Sequence, residues 1–184
     1  MATKARERLL QTAEELFYAE GIHATGIERI LQESGVGRAS FYRHFKSKDE
    51  LVVAVITDRD ARWRAWLDES VTAAAPIPRE RPLAVFDALA QRFARADFRG
   101  CAFINTMAET ADPGSPAFQA AAEHKRRVIA YLDRLLAEAG HAAHRDLAGK
   151  LALLIDGALV TALRERTPDA AHRARSVAAT LLMD

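Results

Sequence analysis

Apolar residues recur at every third or fourth position along nearly the whole chain, and no segment alternates Val, Ile or Thr with polar residues. A repeat near 3.6 buries one stripe of a helix, whereas a half-buried strand needs a repeat of two. The pattern therefore predicts an all-α fold. Gly and Pro punctuate it at Gly21, at Gly35-Val36-Gly37, at Ala75-Pro76-Ile77-Pro78, at Arg99-Gly100, at Asp112-Pro113-Gly114-Ser115-Pro116, at Gly140 and at Thr167-Pro168. About nine helices result. The first carries Leu9, Ala13, Leu16 and Phe17 on one face and ends at Gly21. A second, roughly 26–34, is expected to be N-capped by Thr25, with Glu28 completing a capping box. A third runs from about Arg38 to Phe45. Ser47 and Glu50 form a second capping box, opening a long helix that reaches about Ala75. Further helices are expected at roughly 82–97, 101–111, 117–139, 144–165 and 169–183. The domain boundary is expected inside the fourth helix, near Leu51 to Val55, dividing the chain into residues 1–50 and 51–184.

The totals exclude several classes of function. With 184 residues, 49% apolar and 28% charged, the chain can bury a core without metal or disulfide. A single cysteine, Cys101, gives no internal disulfide and suits a reducing compartment. No apolar run approaches the ~18 residues of a membrane span, and the N-terminus lacks a secretion-type apolar stretch, so a cytoplasmic location is expected. The net charge of +1 excludes a general polycation, so any nucleic-acid site must be a local patch.

Such a patch lies in the second and third helices. Two short helices joined by a glycine turn and packed on a longer one make a helix-turn-helix. Gly35 supplies the turn and Val36 the apolar plug. Phe41 and Phe45, four apart, anchor the third helix from one side. That leaves Arg38, Ala39, Ser40, Tyr42, Arg43 and His44 on or near the outside. From residue 29 to 48 there are five cations, Arg29, Arg38, Arg43, Lys46 and Lys48, against the one acid Glu33, a local excess of four. This excess supplies the salt-dependent, sequence-independent part of affinity for duplex DNA. Arg38, Ala39, Ser40 and Arg43 are assigned to base edges in the major groove. Tyr42, Lys46 and Lys48 are assigned to phosphates, with the start of the second helix at Thr25-Gly26 offering backbone N–H groups to another. The same short-helix pattern also occurs in helical proteins that bind no DNA.

The stretch GIHATGIERILQESGVGRASFYRHFKSKDEL resembles the N-terminal signature of the tetracycline-repressor (TetR) family of bacterial regulators. The resemblance covers about the first 55 residues, and Phe41-Tyr42, His44-Phe45 and Ser47-Lys48-Asp49 are its most specific parts. It implies that Thr25, Tyr42 and Lys48 contact the DNA backbone. It also implies a C-terminal helical domain for effector binding and dimerisation, and a repressor that a small molecule releases from its operator. Gly37 departs from the pattern, which has serine or another capping residue there. Arg99-Gly100-Cys101-Ala102-Phe103-Ile104-Asn105 resembles one branch of the family more loosely.

In the C-terminal part, Trp63 and Trp66, then Phe86, Leu89 and Phe93, then Phe103 and Met107 recur at helical spacing. They either line an apolar ligand pocket, with Asn105, Thr106 and Glu109 as its polar groups, or fill a core. A small hydrophobic or aromatic effector fits the first reading. The run Leu151–Val160 is apolar nearly all round and must be covered on more than one side. Gly157 and Ala158 are expected to admit another helix closely. The helix at about 144–165 is read either as the central helix of a monomer or, with the one at about 117–139, as a homodimer interface; the second reading is preferred, with double-stranded DNA as the partner of both heads. A lone Cys101 near a helix start reads as a small apolar residue. His124, His141 and His144 lack the spacing of a metal site. No serine, cysteine or carboxylate stands with a base and an orienting group, so neither catalysis nor a cofactor is expected.

Overall fold

The computed structural model describes residues 2–183. Among them are nine α-helices, one short 3-10 turn at Pro78–Glu80 and no strand. The helices are α1 (Ala2–Glu20), α2 (Ile27–Ser34), α3 (Arg38–His44), α4 (Lys48–Ala74), α5 (Arg81–Phe93), α6 (Ala102–Thr110), α7 (Pro116–Glu138), α8 (His144–Glu165) and α9 (Asp169–Leu181). No helix of the described residues is long and apolar enough to cross a membrane.

The chain forms two compact units, and neither is continuous in sequence. One joins the residues up to Ala61 with Ala102–His124; the other joins Arg62–Cys101 with the residues from Lys125 onward. Helices α4 and α7 are each shared between them. This partition differs from a single division at residue 50, because α6 and the start of α7 group with the residues up to Ala61, α6 lying against α1, the start of α4 and the loop before α2.

The first unit is built around the inward stripe of α1. Leu9 and Ala13 are fully buried and Phe17 nearly so, together with Ile30, Val36, Phe41, Phe45, Leu51, Val52 and Val55. Gly35 ends α2 with φ of 63°, a left-handed conformation that a side chain would oppose. The backbone N–H of Val36 donates to the Ser34 hydroxyl at 3.3 Å, so the turn is tied down beside its apolar plug.

The start of α2 departs from expectation. Gly26 is the N-cap, in extended conformation, and no side chain caps the helix. Thr25 is fully buried and its hydroxyl donates to the Gly21 carbonyl at 2.8 Å. Turned backwards in this way, it cannot form a capping box with Glu28. The second box does form, in shifted register. The Glu50 N–H donates to the Ser47 hydroxyl at 3.2 Å, while the Glu50 carboxylate accepts from the Lys46 N–H at 2.7 Å rather than from that of Ser47.

The second unit packs Leu67 and Val71 of α4 with Phe86, Leu89 and Phe93 of α5, Leu132, Leu135 and Leu136 of α7, Leu151 and Ile155 of α8, and Ala171 and Ala178 of α9. Helix α5 stops at Phe93, short of the expected residue 97. The chain turns there so that the Phe98 ring is buried 4.9 Å from that of Phe93. In α8, Ala158 faces this core and is 4% exposed. It is therefore not an approach point for another helix, whereas nothing stands within 4 Å of a side chain placed at Gly157.

Candidate nucleic-acid interface

Helix α3 is short, and its neighbours hold it more than its own hydrogen bonds do. Gly37 caps it through its carbonyl, which accepts from the N–H groups of Ser40 and Phe41 at 2.9 and 3.0 Å. No side chain adds to this cap. Stability comes instead from Phe41 and Phe45, buried to 0% and 2% exposure with ring centres 6.0 Å apart. Burying two such rings contributes roughly 1.5–3 kcal/mol each. Tyr42 meets Phe41 edge to face at 5.1 Å and is 47% exposed.

With those two rings turned inward, the opposite side of α3 faces solvent. Arg38, Ala39, Tyr42 and Arg43 are exposed, and Ser40 and His44 are half-buried. Lys46 is exposed and Lys48, the first residue of α4, is half-buried. The expected reading face is thus brought together on one side of one short helix and the start of the next. Thr25 does not join it as a side chain, since its hydroxyl is spent on Gly21. Gly26 is exposed at the start of α2, where the first backbone N–H groups have no capping side chain.

The charge of this surface is less uniform than the count from 29 to 48 implies. Arg38 forms an ion pair with Glu28, which lies one residue outside that window. Arg29 pairs with Glu20 at 3.7 Å and Glu33 at 3.3 Å. Among the described residues, the side chains of Arg43, Lys46 and Lys48 have no acidic partner. The Arg38–Glu28 pair is exposed on both sides, and exposed pairs contribute only about 0–1 kcal/mol. A phosphate or a guanine edge can therefore take Arg38 from it at small cost.

A contact that local sequence reasoning missed holds the loop before α2. The His23 N–H donates to a Glu109 carboxylate oxygen at 3.0 Å, and His23 Nε2 donates to the Glu109 carbonyl at 2.7 Å. Gly21 lies against the same carboxylate with φ of 97°, and a side chain there would meet it at 3.1 Å. Glu109, expected among ligand-facing groups, is thus occupied in fixing the loop that leads into α2.

The residues expected to line a ligand pocket are dispersed between the two units. Phe103 belongs to the first, buried and stacked on His124 at 3.4 Å, and His124 in turn bonds buried Asp60 at 2.7 Å. Met107 is half-buried in the same unit. In the second unit Phe86, Leu89 and Phe93 are buried in the core. Trp63 and Trp66 are half-buried against it, 6.0 Å apart, with the Arg92 guanidinium 5.1 Å from the Trp66 ring. Two cavities stand out. One, between α1, α4 and α6 in the first unit, holds about 20 Å³, room for roughly one water. The other is an open groove of about 680 Å³ in the second unit, with Arg79, Leu83, Asp87, His141 and Arg175 on its walls. None of the seven expected apolar and aromatic residues lines either, whereas the expected polar groups Asn105, Thr106 and Glu109 all line the first.

Comparison with known proteins bears on this geometry. Residues 9–55 match the model of the bacterial regulatory proteins of the tetR family. The chain is 34% identical to SCO4454, a TetR-family transcriptional regulator from Streptomyces coelicolor, over 99% of this chain and 96% of that one, with a TM-score of 0.90. It is 30% identical to the HTH-type transcriptional repressor NemR of Escherichia coli over 132 residues, which is 71% of this chain and 66% of NemR. The reduced form of Escherichia coli NemR superposes with a TM-score of 0.85 at 26% identity, covering 95% of this chain and 94% of that one.

Proposed function

Because this chain belongs to the TetR family of transcriptional regulators and is a DNA-binding regulator, we propose that it is a repressor, released from its operator by a small molecule. One observation carries the DNA reading. Phe41 and Phe45 are buried beneath α3 while Tyr42 and Arg43 project from it and Lys46 from the turn just after it, the last two without acidic partners among the described residues. A helix anchored by two rings and cationic on its far side suits the major groove. Arg38, Ala39, Ser40 and Arg43 read bases; Tyr42, His44, Lys46 and Lys48 hold phosphates, together with the backbone N–H groups behind Gly26. Thr25 serves by shaping the loop before α2. Repression is supported by the NemR comparison, and the place of action is the cytoplasm, where the DNA lies.

Two heads are needed to meet half-sites ~34–36 Å apart, so the working form is a homodimer. On α8, Leu153 is 77% exposed and Val160 56%, with Gly157 open between them on the same face. A stripe of this kind calls for a partner helix. The two-fold contact is built on α8 with α7, whose Ile129 is 40% exposed. Helix α9 is a second choice for the flanking element, because it packs on α8 and leaves Val177 49% exposed.

The effector is a small hydrophobic or aromatic compound. Trp63 and Trp66 on α4 are its nearest contacts in the second unit, being half-buried where Phe86, Leu89 and Phe93 are sealed. A ligand that displaces α4 acts on the helix whose first residue is Lys48. To move a 1:99 balance to 99:1 it must favour the released state by about 5.5 kcal/mol.

Selection of bound duplexes from a random DNA pool tests the proposal. A motif with two-fold symmetry is expected, and failure to enrich any sequence would defeat the operator reading. The chain has two tryptophans, Trp63 and Trp66, so an effector bound beside them must change intrinsic fluorescence as it releases that duplex.

A further inference from the structure

We propose that Arg6 is an additional phosphate contact of the DNA-reading surface, held in place by the ring of Phe45; this rests on the DNA-binding reading above. The inward line of α1 runs through Leu9, Ala13 and Phe17, all buried. One turn earlier the same line is occupied by Arg6, where an apolar residue would simply prolong the core. Its side chain is exposed, and its guanidinium carbon lies 5.5 Å from the centre of the Phe45 ring. Phe45 closes α3 and is followed at once by Lys46, Ser47 and Lys48. The ring contact therefore brings Arg6 to the end of α3 where two phosphate-binding lysines already stand.

Charge supports the same assignment. Arg29 and Arg38 are neutralised by Glu20, Glu33 and Glu28, whereas Arg6 has no acidic partner among the described residues. Nor does the helix itself favour it. Arg6 stands near the positive end of the α1 dipole, and the first turn of α1 contains no acid. A cation held over an aromatic face keeps its N–H donors available, and the planar guanidinium suits two phosphate oxygens at once. Lys4 and Arg8, two residues either side, are turned about 200° round the helix and share neither the line nor the ring. They supply the same charge without the placement.

The test is a salt titration of full-length protein on its selected operator and on an unrelated duplex, with R6Q, R6K, R8Q and K48A. R6Q is expected to weaken both duplexes several-fold and equally. It should flatten the logarithmic salt dependence by about 0.9 for each head engaged. R6K should retain most of the slope, and R8Q should keep both slope and affinity. Equal effects of R6Q and R8Q would reduce Arg6 to general charge and overturn the proposal. So would an unchanged slope in R6Q beside a flattened slope in K48A, and that outcome leaves the DNA-binding reading intact. Absence of salt-dependent binding in the unsubstituted protein would defeat both. Helical circular dichroism checks that each head is folded, and R6K covers the case in which R6Q is not.

Discussion

Glu109 and His23 are joined by two hydrogen bonds across 86 residues of sequence, one through the Glu109 carboxylate and one through its backbone carbonyl. A carbonyl oxygen only accepts, so Nε2 of His23 carries a proton. The pair ties the end of α6 to the loop before α2. Glu109→Ala removes the carboxylate bond, worth about 1 kcal/mol. Hydrogen exchange at the His23 amide should then accelerate roughly five-fold, with operator affinity falling by a similar factor. Unchanged protection from Gly21 to Gly26 would show that the loop holds itself.

Glu28 and Arg38 compete with DNA for each other. Glu28→Gln releases Arg38 and removes an anion beside the reading face. Affinity for unrelated duplex DNA should rise a few-fold at low salt, and the gain should fade as salt screens it. Binding titrations at two salt concentrations measure this, and a loss of affinity would mean that the pair positions Arg38 for reading.

Phe41 is fully buried beneath α3. Phe41→Ala should cost about 3–5 kcal/mol by leaving a cavity. Because α3 has no side-chain cap, the loss should appear as an early transition of the reading head in a thermal melt, with operator binding abolished. A melt with unaltered shape would place the ring's contribution elsewhere.

Leu153 is the most exposed large apolar residue of α8, at 77%. Leu153→Glu puts a charge at the centre of the proposed two-fold contact. Sedimentation at micromolar concentration should shift from dimer to monomer, and operator affinity should fall with it. A variant that sediments unchanged would exclude this face of α8.

Tyr131 gives a pH signature. Burial pushes its hydroxyl well above the ordinary tyrosine value, and the charge of Asp68 adds to the shift. The folded form therefore keeps a proton that the unfolded chain releases from about pH 10. Stability should be unaffected by this group below pH 10 and fall above it. Tyr131→Phe should remove that part of the fall, as seen in denaturation midpoints at pH 8 and pH 11. Parallel losses in both proteins would mean that other groups dominate.

The helices and the buried and exposed sides of α3 were legible because both follow from short-range rules. The 3.6-residue stripe of Leu9, Ala13 and Phe17, the break at Gly35 and the four-residue spacing of Phe41 and Phe45 need only neighbouring residues to interpret. Thr25 was misread for the same reason. Threonine before a short helix suggests a cap, but burial turned its hydroxyl toward Gly21. The Arg38–Glu28 pair lay just beyond the window in which charge was counted. Arg6 and Glu109 were out of reach altogether, since each acts on a segment far away in sequence. The aromatic repeats of the C-terminal part were legible as inward-facing but not as pocket or core, because spacing alone does not say how completely a ring is enclosed.

The excursion of Ala102–His124 into the first unit bears on how such regulators can be recombined. A graft that transplants only the segment up to Ala61 carries Phe17, Val55 and Ile56 away from Ala102, Asn105 and Thr106, which share a cleft with them. A chimaera meant to inherit this protein's operator preference must carry both pieces of chain, or supply a substitute for α6 shaped to the same apolar wall.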